Sequence, residues 1–128
     1  MIKYIFNIFK LLRVYSWIKN LLIFAPLVFS LHLFNPHDFI NSCIAFIIFC
    51  FGSSIIYIIN DIIDRKGDMC HPRKKNRPLV TKEISIQSAY IIIGIIFILF
   101  IFLLSKTYLS FNVIILIYLF LNILYTYI

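Results

Sequence analysis

Apolar residues run along this chain in long blocks, and the few polar breaks between them define its elements. Within residues 1–16, Lys3, Asn7, Lys10 and Arg13 share one helical face while Ile2, Ile5, Phe6, Ile8, Phe9 and Leu12 lie elsewhere, the pattern of an interfacial amphipathic helix. Apolar runs then occupy 18–34, 39–59, 86–104 and 108–128. Each reads as a membrane-spanning helix, because about 20 apolar residues cross a bilayer and every backbone group in lipid must be paired internally. The first run is short and contains Pro26, so the flank around Trp17 and Lys19 is expected to lengthen it by snorkelling. A cleaved signal peptide is the competing reading, but no small-residue cleavage site follows Leu33-Phe34, and Asn35-Pro36-His37-Asp38 reads as a turn into the next apolar run. The expected fold is all-α: a polytopic transmembrane helix bundle of about four spanning helices in one membrane domain, 1–128, with a polar loop at 60–85.

Composition agrees with that pattern and narrows the function. Hydrophobic residues make up 62% of the chain, and the mean hydropathy of +1.00 lies far outside the range of soluble domains. The formal charge of +7 would raise the question of nucleic acid in a soluble protein. Its placement argues against that, since of 12 Lys and Arg only Lys106 lies outside residues 3–19 and 65–82. By the positive-inside rule these two clusters mark the N terminus and the 60–85 loop as cytoplasmic, in what is expected to be a bacterial inner membrane. Cys43, Cys50 and Cys70 form no closed disulfide set, and Asn112 and Asn122 in the last run are expected to join helices by hydrogen bonding.

The 60–85 loop holds the candidate chemistry. Asn60-Asp61-Ile62-Ile63-Asp64-Arg65-Lys66-Gly67-Asp68 places three carboxylates at i, i+3 and i+7, within about 60° of one another if the helix continues. Three like charges at the negative end of a helix dipole need cationic compensation. Arg65 and Lys66 can supply part of it, and Mg²⁺ fits as well, because it takes one or two carboxylates plus waters and substrate phosphate oxygens. If Gly67 ends the helix, Asp68 arrives from a loop. The alternative is that these acids are solvated cap and turn residues neutralised by neighbouring bases. Directly after them, His71-Pro72-Arg73-Lys74-Lys75-Asn76-Arg77-Pro78 offers Lys74 and Arg77 as phosphate ligands, or else serves only to orient the chain and bind anionic lipid. Arg13, Trp17, Lys19 and Asn20 form a second polar group at the same membrane face, where Trp17 reads as an aromatic-belt residue and Lys19 as a topological anchor.

At these residues the chain resembles the UbiA superfamily of intramembrane transferases, whose signature N-D-x-x-D-x-x-x-D is matched by Asn60, Asp61, Asp64 and Asp68. Arg13-x-x-x-Trp17-Ile18-Lys19-Asn20, Phe24-Ala25-Pro26-Leu27 and His71-Pro72-x-Lys74-x-x-Arg77-Pro78 are similar to the branch that contains decaprenyl-phosphate phosphoribosyltransferase, with Val14 and Ser16 departing from that branch. The resemblance implies Mg²⁺-dependent transfer at a polyprenyl phosphate or diphosphate held in a lipid-open cavity. Asp61, Asp64 and Asp68 would bind metal, with Asp61 and Asp64 central to catalysis, and Asn60, Arg13, Lys19, Asn20, Lys74 and Arg77 would bind phosphate. The expected reaction is 5-phosphoribosyl transfer from phosphoribosyl pyrophosphate to polyprenyl phosphate; the alternative is prenyl transfer to an aromatic acceptor.

Members of that superfamily have about nine spanning helices and a second acid motif, so the resemblance covers only the N-terminal half of such a bundle. This stretch alone is therefore expected to be inactive, either a fragment or a partner to a second chain that completes the bundle. A non-catalytic relic, a small membrane subunit or a lipid-binding anchor remain as readings of another class.

Overall fold

The computed structural model describes residues 1–127, with side chains through Tyr125, and the described residues contain helices and turns but no strand. The helices are α1 (Ile2–Leu11), α2 (Ala25–Phe29), α3 (Pro36–Ile63), α4 (Arg65–Asp68), α5 (Ile86–Leu104) and α6 (Leu109–Tyr127), with 3-10 segments at Val14–Phe24 and Lys74–Asn76.

Helix α3 is the central post. It starts at Pro36, which needs no partner for a backbone amide, and the Asn35 side chain accepts hydrogen bonds from the amides of His37 (3.0 Å) and Asp38 (3.4 Å). Its 28 residues extend about 42 Å, against a hydrocarbon core of about 30 Å. The surplus carries the Asn60-Asp61 end beyond the most apolar layer. Helix α5 begins where the Ser85 hydroxyl accepts from the amide of Ser88 at 3.0 Å, and its 19 residues match the bilayer closely.

By length and composition α3 and α5 are clear membrane spans, and α6 is apolar over Leu109–Tyr125 but shorter. A third candidate is the bent pair of α1 with Val14–Phe29, whose axes differ by 54°. The short first apolar run is lengthened in an unusual way. Eleven of its residues adopt the 3-10 form, which rises about 2.0 Å per residue instead of 1.5, so Val14–Phe29 spans roughly 30 Å. The helical segments run from Val14 to Phe29 and from Pro36 to Ile63, around the expected spans 18–34 and 39–59.

Two apolar clusters hold the bundle. Near the motif end, Leu11, Ile58, Leu79, Ile84, Ala89 and Ile96 bring α1, α3, the loop and α5 together; further along, Ile48, Phe100 and Ile115 join α3, α5 and α6. Phe49 packs edge-on to Tyr118 at 4.6 Å between ring centroids. Gly52 lets α6 approach α3 closely, since a Cβ there would lie 2.8 Å from Leu119 Cδ2 and 3.3 Å from Phe100. Asn112 joins α6 to the end of α5: it donates to the Leu104 carbonyl at 3.5 Å and accepts from the Thr107 hydroxyl of the following turn at 2.6 Å. Asn122 donates to the Tyr118 carbonyl at 3.0 Å, within α6.

The 60–85 loop is folded down onto the bundle, because Leu79 and Ile84 are buried beneath α1. Lys10 donates to the Asn76 carbonyl at 2.9 Å, and Lys3 pairs with Glu83 at 3.1 Å. The Lys3 ammonium holds the Glu83 carboxyl below its usual range, so this tie is intact at neutral pH and is lost only as pH falls through that lowered value. With its polar face on the loop, α1 turns Ile2, Phe6 and Phe9 outward, as an interfacial helix requires.

Replacing Gly52 by Leu should displace Leu119 and Phe100 and destabilise the bundle by about 1–3 kcal/mol in detergent. Gly94→Ala, where an added methyl meets nothing within 4 Å, should leave stability unchanged or raise it. Equal unfolding midpoints for the two variants would contradict this packing.

Candidate active site

Helix α3 presents Tyr57 and Asp61 one turn apart on the same face. The helix ends at Ile63, Asp64 takes the cap position, and the chain re-enters a helical turn as α4, which closes on Asp68. This break in register decides which carboxylates meet. Asp61 and Asp68 are 2% and 3% exposed and face the same point, whereas Asp64 is exposed to solvent. Among the described residues no three His, Cys, Asp or Glu side chains converge.

The shared point is the Arg77 guanidinium. Its Nη1 lies 3.0 Å from Asp61 Oδ1 and also donates to Asp68 Oδ2. Arg13 Nη2 donates to the same Asp61 Oδ1 at 2.7 Å, and Lys74 Nζ stands 3.8 Å from Asp68 Oδ1. Two buried carboxylates thus face three cations, which leaves the cluster one positive charge in excess. Burying carboxylates is tolerable only with such pairing, since removing one partner of a buried pair costs about 3–5 kcal/mol. Arg65 and Lys66, the expected counter-charges, pair with none of the acids among the described residues.

Arg13 reaches Asp61 from a strained backbone. Its φ of 51° and ψ of 47° are left-handed, a conformation that costs a non-glycine residue roughly 1–2 kcal/mol and clusters at functional sites. The turn is fixed from below by Ser54, which is fully buried on α3: its hydroxyl donates to the Leu12 carbonyl at 2.8 Å and accepts from Trp17 Nε1 at 3.0 Å. From above, the Arg13 guanidinium stacks over the Tyr57 ring, 4.6 Å from its centroid. Trp17 is therefore a clamp on the 3-10 segment in addition to any belt role.

Beside this cluster lies a cavity of about 430 Å³ lined by Arg13, Lys19, Asn60, Lys74 and Arg77, with Tyr57 and Tyr125 as aromatic walls. A neighbouring cavity of about 270 Å³ shares Arg13, Lys74 and Arg77 and adds Lys10, Asp61 and Arg73. The first is of small-ligand size, and its cationic walls suit an anion. Of the residues expected to bind phosphate, the structure brings together Arg13, Lys19, Asn60, Lys74 and Arg77. Asn20 stands apart: it is buried between helices, donating to Cys50 Sγ at 3.4 Å and accepting from the Tyr118 hydroxyl at 3.4 Å. His71, just upstream, accepts at Nδ1 from the amides of Arg73 (3.2 Å) and Lys74 (3.3 Å) and so shapes the turn that presents Lys74.

Tyr57 and Ser54 were missed in the sequence. The available signal was their spacing: they precede Asp61 by four and seven residues, which puts all three on one face of α3.

Comparison with known proteins places this site in context. Decaprenyl-phosphate phosphoribosyltransferase of Corynebacterium glutamicum is 41% identical over 83 residues, covering 63% of this chain and 25% of that protein. The enzyme of the same name from Mycolicibacterium smegmatis is 32% identical over 94 residues, 70% of this chain and 30% of that protein. Nodulation protein NoeC of Azorhizobium caulinodans is 35% identical over 75 residues, 57% and 24%. The matched stretch thus spans less than a third of the length of each. No solved structure matches. The sequence pattern of the UbiA prenyltransferase family runs across residues 11–128, and this integral membrane chain belongs to that family.

Proposed function

We propose that this chain supplies one half of the active site of a membrane transferase acting at a polyprenyl phosphate, with 5-phosphoribosyl transfer from phosphoribosyl pyrophosphate as the reaction. The observation that carries the reading is the cluster in which Arg77 joins buried Asp61 and Asp68 beside a cation-lined cavity. The phosphoribosyltransferase relatives support the choice of donor. The Lys and Arg gathered at this end of the helices support a cytoplasmic orientation for it, in a bacterial cell membrane.

In this reading the cavity takes the diphosphate. Arg13 and Arg77 offer forked hydrogen bonds to phosphate oxygens, Lys74 and Lys19 add point charges, and Asn60 orients the group from the end of α3. Asp61 and Asp68 would hold Mg²⁺ at the point where they now face Arg77, with that guanidinium turned to the diphosphate and Asp64 the third carboxylate of the motif; two carboxylates with water and phosphate oxygens are a donor set that Mg²⁺ takes. Bound there, Mg²⁺ supplies neutralisation of charge developing on the diphosphate. Tyr57 and Tyr125 offer aromatic walls to the bound group.

Titration of Mn²⁺ into the chain in detergent with pyrophosphate present should show binding that Asp61→Asn or Asp68→Asn weakens by about 10- to 100-fold, the scale seen when ion ligands or their supports are lost. Phosphoribosyl pyrophosphate should compete with the pyrophosphate and a short-chain polyprenyl diphosphate should compete poorly; the reverse order would favour prenyl transfer. Affinities unchanged in both Asp variants would overturn the site.

Ser54→Ala strands the Trp17 indole N–H and the Leu12 carbonyl, at a stability cost of about 1–3 kcal/mol. It should also weaken pyrophosphate binding by releasing the Arg13 turn. In an Arg13→Gln background that second effect should vanish; a loss of the same size in both backgrounds would show that Ser54 does not act through Arg13.

A further inference from the structure

On the far side of the loop from the diphosphate site, a separate cavity of about 300 Å³ opens where α4 meets the start of α5, lined by Arg65, Leu79, Lys82, Ile84, Ile86 and Gln87. Its two cations differ from three of the four that line the diphosphate site, Lys19 being the fourth. Arg13, Lys74 and Arg77 each face a carboxylate, whereas Arg65 and Lys82 have neither an ion-pair partner nor a hydrogen-bond acceptor among the described residues. Arg65 is partly buried and Lys82 exposed, and since no buried side-chain nitrogen lacks a partner among the described residues, the guanidinium nitrogens of Arg65 stay accessible. A guanidinium and an ammonium without a protein partner are free to pair with an anion that enters between them. Lys82 is also held in the left-handed backbone region, with φ of 61°, a strain of the kind found at ligand clamps.

The position of the cavity identifies the anion. It lies at the first turn of α5, a helix whose length matches the hydrocarbon layer, so it sits at the depth of lipid headgroups. Further along α5, Tyr90, Ile91, Ile95 and Ile98 are exposed, part of an apolar surface that an acyl chain can follow. The cavity floor of Leu79 and Ile84 is itself apolar. A phosphate group attached to a hydrocarbon chain matches cation, depth and apolar surface together; a free phosphate matches only the cation.

We propose that Arg65 and Lys82 form a binding site for the phosphate headgroup of an anionic phospholipid, separate from the diphosphate site and independent of the reaction assigned to it. Gln87 adds an amide at the rim. Bound there, the lipid ties α4 to α5 and so steadies the loop that carries Lys74 and Arg77.

The test is thermal unfolding of the chain in nanodiscs of phosphatidylcholine with and without one fifth phosphatidylglycerol. Phosphatidylglycerol should raise the midpoint of the unaltered chain, and Arg65→Gln combined with Lys82→Gln should abolish most of that rise while unfolding normally in pure phosphatidylcholine. A Lys66→Gln, Lys75→Gln chain loses the same charge from exposed positions of the same loop and should keep the rise. An equal loss in both double variants would mean that diffuse attraction of the basic loop explains the effect, and the site would be rejected. Inorganic phosphate added to phosphatidylcholine discs should give no protection; protection equal to that of phosphatidylglycerol would reject a lipid as the ligand. Should the Arg65, Lys82 variant unfold early in pure phosphatidylcholine, mass spectrometry of phosphatidylglycerol retained on Arg65→Lys and Arg65→Gln single variants decides, with retention equal to the unaltered chain in both overturning the proposal.

Discussion

The Arg77 guanidinium between Asp61 and Asp68 is the contact on which the motif end of this bundle depends. It joins the end of α3 to the basic loop, and the loop in turn carries Leu79 and Ile84 into the core beneath α1. Without that bridge two buried carboxylates would face each other, and electrostatics would favour lifting the loop away. With it, the loop is drawn down and Lys74 is brought to the rim of the cavity. The same charges thus hold the fold and furnish the chemistry. A structure organised in this way couples stability to ligand binding, because any anion that recruits Arg13 and Arg77 does so in competition with the carboxylates.

A second constraint is the depth at which polar groups can sit. The surplus length of α3 carries Asn60 and Asp61 to the membrane boundary, and the stretched 3-10 segment brings Arg13 to the same level from the other side. Ser54 and Trp17 fix that segment against α3. Arg13 then reaches Asp61 from a left-handed turn that its ion pair and the Tyr57 ring hold in place. Strain at Arg13 and pairing at Asp61 are two sides of one arrangement.

Much of this was legible in the chain. Apolar blocks marked the helices, the family signature pointed to Asp61, Asp64 and Asp68, and the basic motif pointed to Lys74 and Arg77. What escaped was tertiary in origin. The spacing of Asp61, Asp64 and Asp68 implies a common face only while the helix continues, and the register breaks at Asp64, which turns that carboxylate outward. The counter-charges came from residues far along the chain, Arg13 and Arg77, where proximity in sequence suggested Arg65 and Lys66. Asn20 fits a phosphate-binding pattern by its neighbours but is buried against Cys50 and Tyr118. The reach of the first span was hidden because composition does not reveal whether a segment rises 1.5 or 2.0 Å per residue.

The central claim is that a buried ion bridge seats the loop over the end of α3, and the coupling between Asp68 and Arg77 tests it most directly. Unfolding free energies of Asp68→Asn, Arg77→Gln and the double variant, measured in one detergent, give that coupling. The account predicts that each single variant is markedly destabilised and that the double variant recovers part of the loss, with a coupling of about 1–3 kcal/mol. Strictly additive losses would mean that the two side chains act independently and that the bridge does not hold the loop.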